Sequence, residues 1–231
     1  MKICCLQKTT LLDFPGHVAA TIFLGGCNFR CPFCHNSSLI GGDAKPQYSE
    51  EEVIDFLIKR KGILEGVCIT GGEPTLSSDL EPFIRKVREL GYLIKLDTNG
   101  HRPEVLKHLI SNELLDYVAM DIKSGREQYK IASGNPNLLI KNIEESAAFL
   151  MEHRIFYEFR TTVVNGIHTK ADFLNIGHWL KGDSLYYLQN YVDSEEVLCP
   201  GYSSFSDFEL NEFLKILKPY LPKAAIRGDS F

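Results

Sequence analysis

Short apolar runs rich in β-branched residues alternate along the chain with longer stretches whose apolar residues recur every three or four positions. The first pattern predicts buried β-strands, and the second predicts amphipathic helices. Ser49 and Ser206 each precede a glutamate by three residues, which is the capping-box pattern of a helix start. The predicted strands span residues 18–24, 66–70, 93–97, 117–121, 155–164 and 185–191, and the predicted helices span 49–61, 80–90, 103–110, 137–153, 169–181 and 206–220.

This alternation of strands and helices indicates βα units and therefore a parallel sheet. A complete eight-unit barrel takes about 250 residues, whereas this chain has 231 residues and six recognisable units. The sequence therefore predicts an α/β fold, a partial (β/α)6 TIM-like barrel with an open lateral mouth. Because no Pro/Ser-rich linker interrupts the pattern, residues 1–231 are predicted to form one domain, with 196–231 as a C-terminal helix and tail packed on the barrel.

Composition and charge narrow the class of protein. Hydrophobic residues make up 44% of the chain and charged residues 24%, which is typical of a globular protein with a full core. The net charge of −5 gives no reason to expect nucleic acid as a partner. Seven cysteines, no signal-peptide pattern in Met1–Gly16 and no long apolar span predict a cytoplasmic protein without membrane contact, whose thiols are free or metal-bound.

Three cysteines follow the first predicted strand within one short loop. Cys27, Cys31 and Cys34 have C-x3-C-x2-C spacing in a segment that also contains glycine, asparagine, arginine and proline. Such a segment is a poor core element, which disfavours plain buried cysteines and favours metal ligands. A cubane iron–sulfur cluster usually takes four cysteines, so three would leave one iron open to a substrate.

Other metal and redox sites fit parts of the same loop. Residues 31–35 form a C-x-x-C-H haem-attachment string, which the missing signal peptide disfavours. Cys31 and Cys34 could form a thioredoxin-like dithiol, although this leaves Cys27 without a role. Cys27, Cys31, Cys34 and His35 could also complete a structural zinc site, but adjacent ligands at Cys34 and His35 suit one tetrahedral ion poorly. Residues outside this loop are needed to distinguish these kinds of site.

Polar residues recur at the ends of the predicted strands, where parallel α/β sheets bind their ligands. Each has an ordinary explanation by itself, because a glycine pair or an Asn-Gly pair is usually a turn and an Asp–Lys pair is common on surfaces. Arginine on a strand is costly if it is buried without a partner. Their joint occurrence is stronger evidence for a ligand site. The set is Gly71, Gly72, Glu73, Asp97, Asn99, Asp121, Lys123, Arg160, Gln189 and Asn190.

The cysteine loop, together with Gly-Gly-Glu-Pro at residues 71–74, resembles the radical S-adenosylmethionine (SAM) enzymes. Residues 8–16 (KTTLLDFPG) and 23–36 are similar to the proteins that activate glycyl radical enzymes, as are the motifs at 97–100 and 121–123. Among these proteins the chain is most similar to the activating proteins of anaerobic ribonucleoside-triphosphate reductase, with pyruvate formate-lyase activating enzyme as a relative. The resemblance covers about residues 8–195.

This resemblance implies a radical SAM fold and one [4Fe–4S] cluster on Cys27, Cys31 and Cys34, with SAM bound at the open iron. It also implies a monovalent cation beside Asp97 and Asp121. Phe33 and His35 would lie beside the adenine, Gly72 and Glu73 near the methionine amino group, Asp121 and Lys123 near the ribose and carboxylate, and Arg160 beside that carboxylate or Asp121. The implied cofactor-binding set is Phe33, His35, Gly71, Gly72, Glu73, Asp97, Asn99, Asp121, Lys123 and Arg160.

The implied reaction is cleavage of SAM to methionine and a 5′-deoxyadenosyl radical, which removes hydrogen from a glycine of a partner enzyme. Anaerobic ribonucleoside-triphosphate reductase is the partner that the resemblance favours, and a flavodoxin- or ferredoxin-type protein is the implied electron donor. Residues 13–16 are expected to help receive the partner's glycine segment. Cys4, Cys5, Cys68 and Cys199 have no spacing partner for a second cluster and are expected to be structural thiols.

Three alternatives remain open. The chain could activate pyruvate formate-lyase or another glycyl radical enzyme, although residues 188–191 offer no secure match to the histidine of the formate-lyase activase. It could act on a small metabolite, as a deazaguanine synthase does, which the activase-like stretch at residues 8–16 disfavours. It could be a non-catalytic metal-binding module, but such a module needs only the cysteine loop and not the polar residues at the strand ends.

Overall fold

The computed structural model describes residues 1–41, 44–152 and 155–228. Its strands are β1 (Ile3–Thr10), β2 (Ala19–Leu24), β3 (Gly66–Gly71), β4 (Leu93–Thr98), β5 (Tyr117–Asp121), β6 (Phe156–Val163), β7 (Leu185–Asn190) and β8 (Ala224–Ile226). Its helices are α1 (Ser37–Ile40), α2 (Glu50–Lys59), α3 (Leu80–Glu89), α4 (Pro103–Ser111), α5 (Tyr129–Ser133), α6 (Ile140–Met151), α7 (Lys170–Trp179) and α8 (Asp207–Leu217), with a 3-10 turn at Pro74–Leu76.

All eight strands belong to one sheet in the order of the chain. Strands β2 to β8 run parallel, and β1 pairs antiparallel with β2. The six predicted parallel βα units are confirmed as β2 to β7 with their helices. Within the described residues the edge strands β1 and β8 do not pair with each other, so the barrel is open as predicted.

The two faces of the sheet differ in polarity, because successive side chains of a strand point to opposite faces. Ile69, Leu96 and Phe159 point to one face and belong to a continuous buried apolar cluster. Cys68 and Lys95, next to them in sequence, point to the barrel interior and are buried as well. The interior face carries Thr21, Cys68, Lys95, Asp97, Asp121, Glu158 and Arg160. The barrel is therefore lined by polar groups that need partners inside it.

Helix ends follow the local sequence signals. The capping boxes predicted at Ser49 and Ser206 form, and a further one forms at Thr169 with Asp172. Helix α6 begins at Ile140, three residues later than predicted, and the predicted end of this helix at residue 153 lies outside the described residues. No helix in the described ranges has the length and apolar character needed to cross a membrane.

The loop between β1 and β2 corrects one prediction. Phe14 is 2% exposed, and a Cβ on Gly66 would lie 2.7 Å from its ring. Its ring centroid lies 6.1 Å from that of Tyr117. Gly66 and Tyr117 begin β3 and β5, so this loop closes the amino end of the barrel, whereas the cysteine loop follows the carboxyl end of β2. The prediction that residues 13–16 receive a partner segment at the site is therefore wrong.

Replacement of Phe14 by alanine is expected to lower the free energy of unfolding by about 3 kcal/mol, since a buried ring is removed from a packed position. The SAM-cleavage rate per folded molecule should not change, because the ring lies at the opposite end of the barrel. Urea unfolding measures the first effect. Leu12→Ala is the control: Leu12 is 84% exposed in the same loop, and its loss should cost about 0.5 kcal/mol or less.

Candidate functional site

A cavity of about 260 Å³ opens at the carboxyl ends of the parallel strands. Every predicted site residue except Glu73 and Asn190 lines it, so residues that lie far apart in sequence converge on one place. Residues that line the cavity without having been predicted are Phe29, Asn36, Ile40, Thr70, Thr98 and Thr162, and Gln189 lines it as expected.

The cysteine loop is held in shape by backbone contacts. Gly26 has φ +99°, a left-handed conformation that glycine adopts without strain. The amide of Cys34 donates to the carbonyl of Cys31 at 3.0 Å, which closes a tight turn. The carbonyl of Ser133, at the end of α5, lies 3.7 Å from the sulfur of Cys31 and accepts from the amide of Arg30 at 2.9 Å. Helix α5 therefore supports the loop from one side.

The three thiols share one electrostatic environment. Burial raises the pKa of Cys27 to about 11 and that of Cys31 to about 12, and it also raises the pKa of Cys34. The positive charge of Lys123 acts on all three thiols in the opposite direction. A set of three thiols on one cavity wall, with a cation beside them, is a donor set that suits an iron–sulfur cluster. Binding would release the thiol protons.

A site for one metal ion is not formed by the described side chains. Within residues 1–41, 44–152 and 155–228, no three His, Cys, Asp or Glu side chains converge on a single metal position. The ring nitrogen Nε2 of His35 instead lies 2.5 Å from the carbonyl oxygen of Val192. This contact engages Nε2 of His35 with the backbone of Val192, which disfavours that nitrogen as the fourth ligand of the structural zinc alternative.

Gly72 lies directly against the cysteine loop. A Cβ at this position would lie 2.1 Å from the carbonyl oxygen of Gly26, and the amide of Glu73 donates to that same oxygen at 2.8 Å. Gly71, with φ +115°, turns the chain out of β3. The glycine pair therefore joins the end of β3 to the cysteine loop through backbone contacts that a side chain would prevent.

Gly72→Ala is expected to abolish stable iron binding and to lower the free energy of unfolding by about 1–3 kcal/mol, because the methyl group forces the two loops apart. Iron content after anaerobic reconstitution and urea unfolding report the two effects. Gly182→Ala is the matched control, since a Cβ there would meet only ordinary contacts, the nearest at 3.5 Å. Normal iron binding by Gly72→Ala would contradict this account of the glycine pair.

Glu73 lies beneath the cavity wall and is 2% exposed. Its carboxylate accepts from the amide and hydroxyl of Thr75 at 3.1 and 2.5 Å, from the hydroxyl of Thr98 at 2.8 Å and from the amide of Asn99 at 2.6 Å. Burial raises the pKa of this carboxyl group, and these four hydrogen bonds oppose the shift. Glu73 thus ties the loop after β3 to the loop after β4.

Five charged side chains form a continuous network, four of them on the cavity floor and Lys95 beneath it. Oδ1 of Asp97 accepts a hydrogen bond from Lys95. Oδ2 of Asp97 accepts a hydrogen bond from Nη1 of Arg160 at 3.1 Å. Arg160 also donates from Nε to Oδ1 of Asp121 at 3.0 Å, and Lys123 donates to Oδ2 of Asp121 at 2.9 Å. The order along the network is Lys95, Asp97, Arg160, Asp121 and Lys123, so positive and negative groups alternate.

Because positive and negative side chains alternate, the carboxylates of this network and Lys123 stay in their charged forms. Burial disfavours the charged form of Asp97, but Arg160 and Lys95 outweigh it and hold the pKa of this carboxyl below its usual range. Burial also disfavours the charged form of Asp121, but the positive charges of Arg160 and Lys123 outweigh this effect and lower the pKa of its carboxyl group. Burial alone would lower the pKa of Lys123, yet Asp121 raises it above the usual range. The cavity floor therefore carries fixed charges at neutral pH.

The residues do not fit the predicted monovalent cation. Both oxygens of Asp97 and both oxygens of Asp121 already accept hydrogen bonds from Lys95, Arg160 or Lys123, so a bound alkali-metal ion would lie against these positive charges and be repelled by them. We therefore assign no part of the reaction to a bound alkali-metal ion.

Segment 192–199 covers the outside of the cysteine loop, which the sequence did not indicate. The amide of Leu198 donates to the carbonyl of Cys34 at 3.2 Å, and the amide of Cys199 donates to the carbonyl of Pro32 at 2.9 Å. The ring of His35 lies 5.4 Å from that of Tyr191, measured between centroids. His35, which is expected on the adenine side, thus packs against the chain that follows β7.

Strand alternation separates two residues that the sequence grouped together. Gln189 points into the cavity, whereas Asn190 exchanges hydrogen bonds with the backbone of Phe205 at 2.7 and 3.1 Å. Asn190 therefore fastens the loop before α8 and does not face the site, which corrects the prediction. The same alternation could have found Thr70 and Thr162, which share a face with Cys68 and Arg160.

A sequence model of the Radical SAM superfamily matches residues 21–180. The chain belongs to this superfamily. It is accordingly an enzyme of the radical SAM type, and the family implies a [4Fe–4S] cluster and SAM as its cofactors.

Two relatives show where in the family the chain lies. A protein of Methanocaldococcus jannaschii named as a candidate glycyl-radical enzyme activating enzyme is 35% identical over 225 residues, which cover 94% of this chain and 91% of that relative. The pyruvate formate-lyase-activating enzyme of Clostridium pasteurianum is 29% identical over 143 residues, or 58% of this chain and 57% of that enzyme. The resemblance to glycyl-radical-enzyme activating proteins is confirmed.

Solved structures share the fold at low sequence identity. SuiB of Streptococcus suis bound to S-adenosylmethionine has a TM-score of 0.67 and is 15% identical, over 90% of this chain and 52% of SuiB. QueE from Escherichia coli has a TM-score of 0.57 and is 16% identical, over 97% of this chain and 92% of QueE. These similarities confirm the predicted radical SAM fold and no more.

Proposed function

We propose that this enzyme activates a glycyl radical enzyme by cleaving SAM reductively and passing the radical to a glycine of that separate protein. The partner we propose is anaerobic ribonucleoside-triphosphate reductase. The observation that carries the proposal is the alignment of 94% of this chain with 91% of a relative whose name describes glycyl-radical enzyme activation. The sequence resemblance at residues 8–16 and 23–36 supports the choice of reductase.

In this proposal Cys27, Cys31 and Cys34 hold the [4Fe–4S] cluster through three of its irons. The cluster, when bound and reduced, supplies the electron that breaks a carbon–sulfur bond of SAM to give methionine and a 5′-deoxyadenosyl radical. Phe33 and His35 flank the adenine. Their proposed role is supported by their place on the cavity wall beside the cysteines.

Lys123 and Arg160 are proposed to hold the carboxylate of SAM. Both groups keep their protons, since Asp121 raises the pKa of each despite burial. Gly71, Gly72 and Asn99 are proposed to offer backbone and amide groups to the methionine end of SAM. Glu73 is proposed to act on the amino group indirectly, because its carboxylate is already engaged by Thr75, Thr98 and Asn99.

The open side of the barrel suits a protein substrate. Strands β1 and β8 leave a gap in the described sheet, and the radical must meet a backbone glycine while water is kept away. A flavodoxin- or ferredoxin-type protein is proposed as the electron donor. A glycine segment of the partner would enter as an extended chain, since a packed helix or sheet would bury the glycine.

The decisive experiment is anaerobic reconstitution of the enzyme with iron and sulfide, followed by reduction and addition of SAM. Methionine and 5′-deoxyadenosine are quantified, and electron paramagnetic resonance follows a glycyl radical on an anaerobic ribonucleotide reductase. A reductase whose radical-site glycine is replaced by alanine is the matched control. We expect SAM cleavage with both proteins and a glycyl radical on the unaltered reductase alone.

Cleavage without a glycyl radical would reject the reductase as partner and direct the search to pyruvate formate-lyase or a small substrate. The small-substrate alternative has support from a 34% match over 91 residues to the 7-carboxy-7-deazaguanine synthase of Hyperthermus butylicus. Absence of any SAM cleavage would overturn the proposed function as a whole.

A further inference from the structure

Lys95 is a buried ammonium group in the middle of a strand. It is 1% exposed, lies on β4 two residues before Asp97, and points to the same interior face as that residue. Its Nζ donates to Oδ1 of Asp97, lies 3.8 Å from the sulfur of Cys68 and lies 6.0 Å from the ring centroid of Tyr117. It does not line the cavity, so it sits beneath the side chains that form the cavity floor.

Burying a lysine is costly, and apolar side chains of similar volume often replace buried ion pairs without loss of stability. Packing therefore does not explain why β4 carries this residue. Its one strong partner is Asp97, whose other oxygen is already paired with Arg160. The role of Lys95 must then be sought in the charge of the site.

The charges in direct contact can be counted. Without Lys95, the cations Arg160 and Lys123 balance the carboxylates Asp97 and Asp121, so the carboxylate end of SAM, which the proposal places apart from its ammonium group, would meet no further cation in this network. With Lys95 the network holds three cations and two carboxylates, so it is balanced once that third carboxylate arrives. This step rests on the proposed binding of SAM. The deficit that Lys95 fills is one positive charge beside Asp97.

We propose that Lys95 is a built-in monovalent cation: its ammonium group supplies, from within β4, the single positive charge that a bound potassium or sodium ion would otherwise supply. The site then binds and cleaves SAM without an alkali-metal ion. Lys95 is a positioning residue, because it acts on the ligand through Asp97 and Arg160 and does not touch it. The proposal goes beyond glycyl radical activation, since it holds for any substrate of this enzyme.

The first test uses the protein without cluster or SAM. Melting temperatures of wild type and Lys95→Ala are measured as potassium replaces tetramethylammonium at constant ionic strength. The melting temperature of wild type should not change as potassium is added. Lys95→Ala should melt lower in tetramethylammonium and recover along a saturable curve as potassium fills the space beside Asp97. Lys130→Ala, which removes an exposed lysine on α5, is the control and should be unaffected by potassium.

The second test measures SAM affinity and cleavage by the reconstituted enzyme in the two salts. SAM affinity and cleavage by wild type should be the same in both salts. Without potassium, Lys95→Ala should bind SAM about tenfold or more weakly than wild type, which is the scale of one charge-assisted contact. Lys95→Arg retains the charge and should remain independent of potassium. A purely structural lysine would give a variant that is weakened equally in both salts.

Saturable stabilisation of wild type by potassium, or SAM binding by wild type that requires potassium, would overturn the proposal. Should Lys95→Ala fail to fold, the wild-type and Lys95→Arg measurements still decide it. The melting experiment involves neither SAM nor a partner protein, so its result stands apart from the test of glycyl radical activation.

Discussion

Replacement of Cys31 by alanine is expected to abolish reductive SAM cleavage while the fold persists. The sulfur of Cys31 is buried and contacts the carbonyl of Ser133, but its removal leaves a cavity of one atom, which should cost about 1 kcal/mol. A three-cysteine loop that loses one member can no longer hold three irons of a cubane cluster. Iron and sulfide content, the visible spectrum and the yield of 5′-deoxyadenosine measure the loss, and circular dichroism measures the fold.

Cys5→Ala is the matched control for this variant. Cys5 is an exposed cysteine on β1, outside the cavity, so its loss should leave both iron content and SAM cleavage at the wild-type level. Retained cleavage by Cys31→Ala would refute the assignment of the cluster ligands. Equal loss in both variants would show that the assay reports general thiol damage and not a ligand.

Arg160→Met is expected to lower the free energy of unfolding by about 3–5 kcal/mol and to abolish SAM binding. The change removes the cation that bridges Asp97 and Asp121, and breaking a buried ion pair from one side leaves an uncompensated charge. The side chains of Arg160 and Asp97 are only 13% and 14% exposed, so solvent screens their interaction poorly. Urea unfolding at neutral pH and equilibrium SAM binding are the measurements.

The effect of Arg160→Met depends on pH in a defined direction. The pKa of Asp97 and that of Asp121 are lowered in the folded protein, so their pairing stabilises it above the ordinary carboxyl pKa of 3.8. This contribution is lost as the pH falls through the lowered values. The stability difference between wild type and variant should therefore be largest near neutrality and should shrink in acid.

Arg126→Met provides the matched comparison. Arg126 pairs with Glu144 at 2.6 Å, but these side chains are 44% and 37% exposed, so the loss should be about 1 kcal/mol or less. If Arg160→Met lowers the free energy of unfolding no more than Arg126→Met does, the charge network across the cavity floor does not stabilise the fold.

Six of the eight strands could be predicted because their signals are local. Strands β2 to β7 are short apolar runs bounded by turn residues, and the helices between them have recurring apolar positions. Strand β1 contains lysine, glutamine and threonine on its exposed positions, and β8 has three residues. Neither has a pattern that stands out alone, because each becomes a strand through pairing with a neighbour that is already in place.

The site was predictable as a set of residues but not as a set of roles. Motif spacing identified the cysteines and the strand-end residues, and the cavity brings all of them together except Glu73 and Asn190. Sequence could not show that Glu73 is enclosed by Thr75 and Thr98, or that Phe14 lies at the far end of the barrel. These positions depend on which loops meet in space.

The sequence by itself determined the α/β alternation, the cysteine loop and the identity of most cavity residues, because periodicity, caps and motif spacing act over a few neighbouring residues. Only the tertiary structure decided which charges pair. Lys95, Asp97 and Arg160 come from two strands that are not neighbours, and their contacts arise because the curved parallel sheet turns one face of β4 and β6 toward a common interior. Long-range hydrogen bonding and burial set these partners, and no local pattern encodes them.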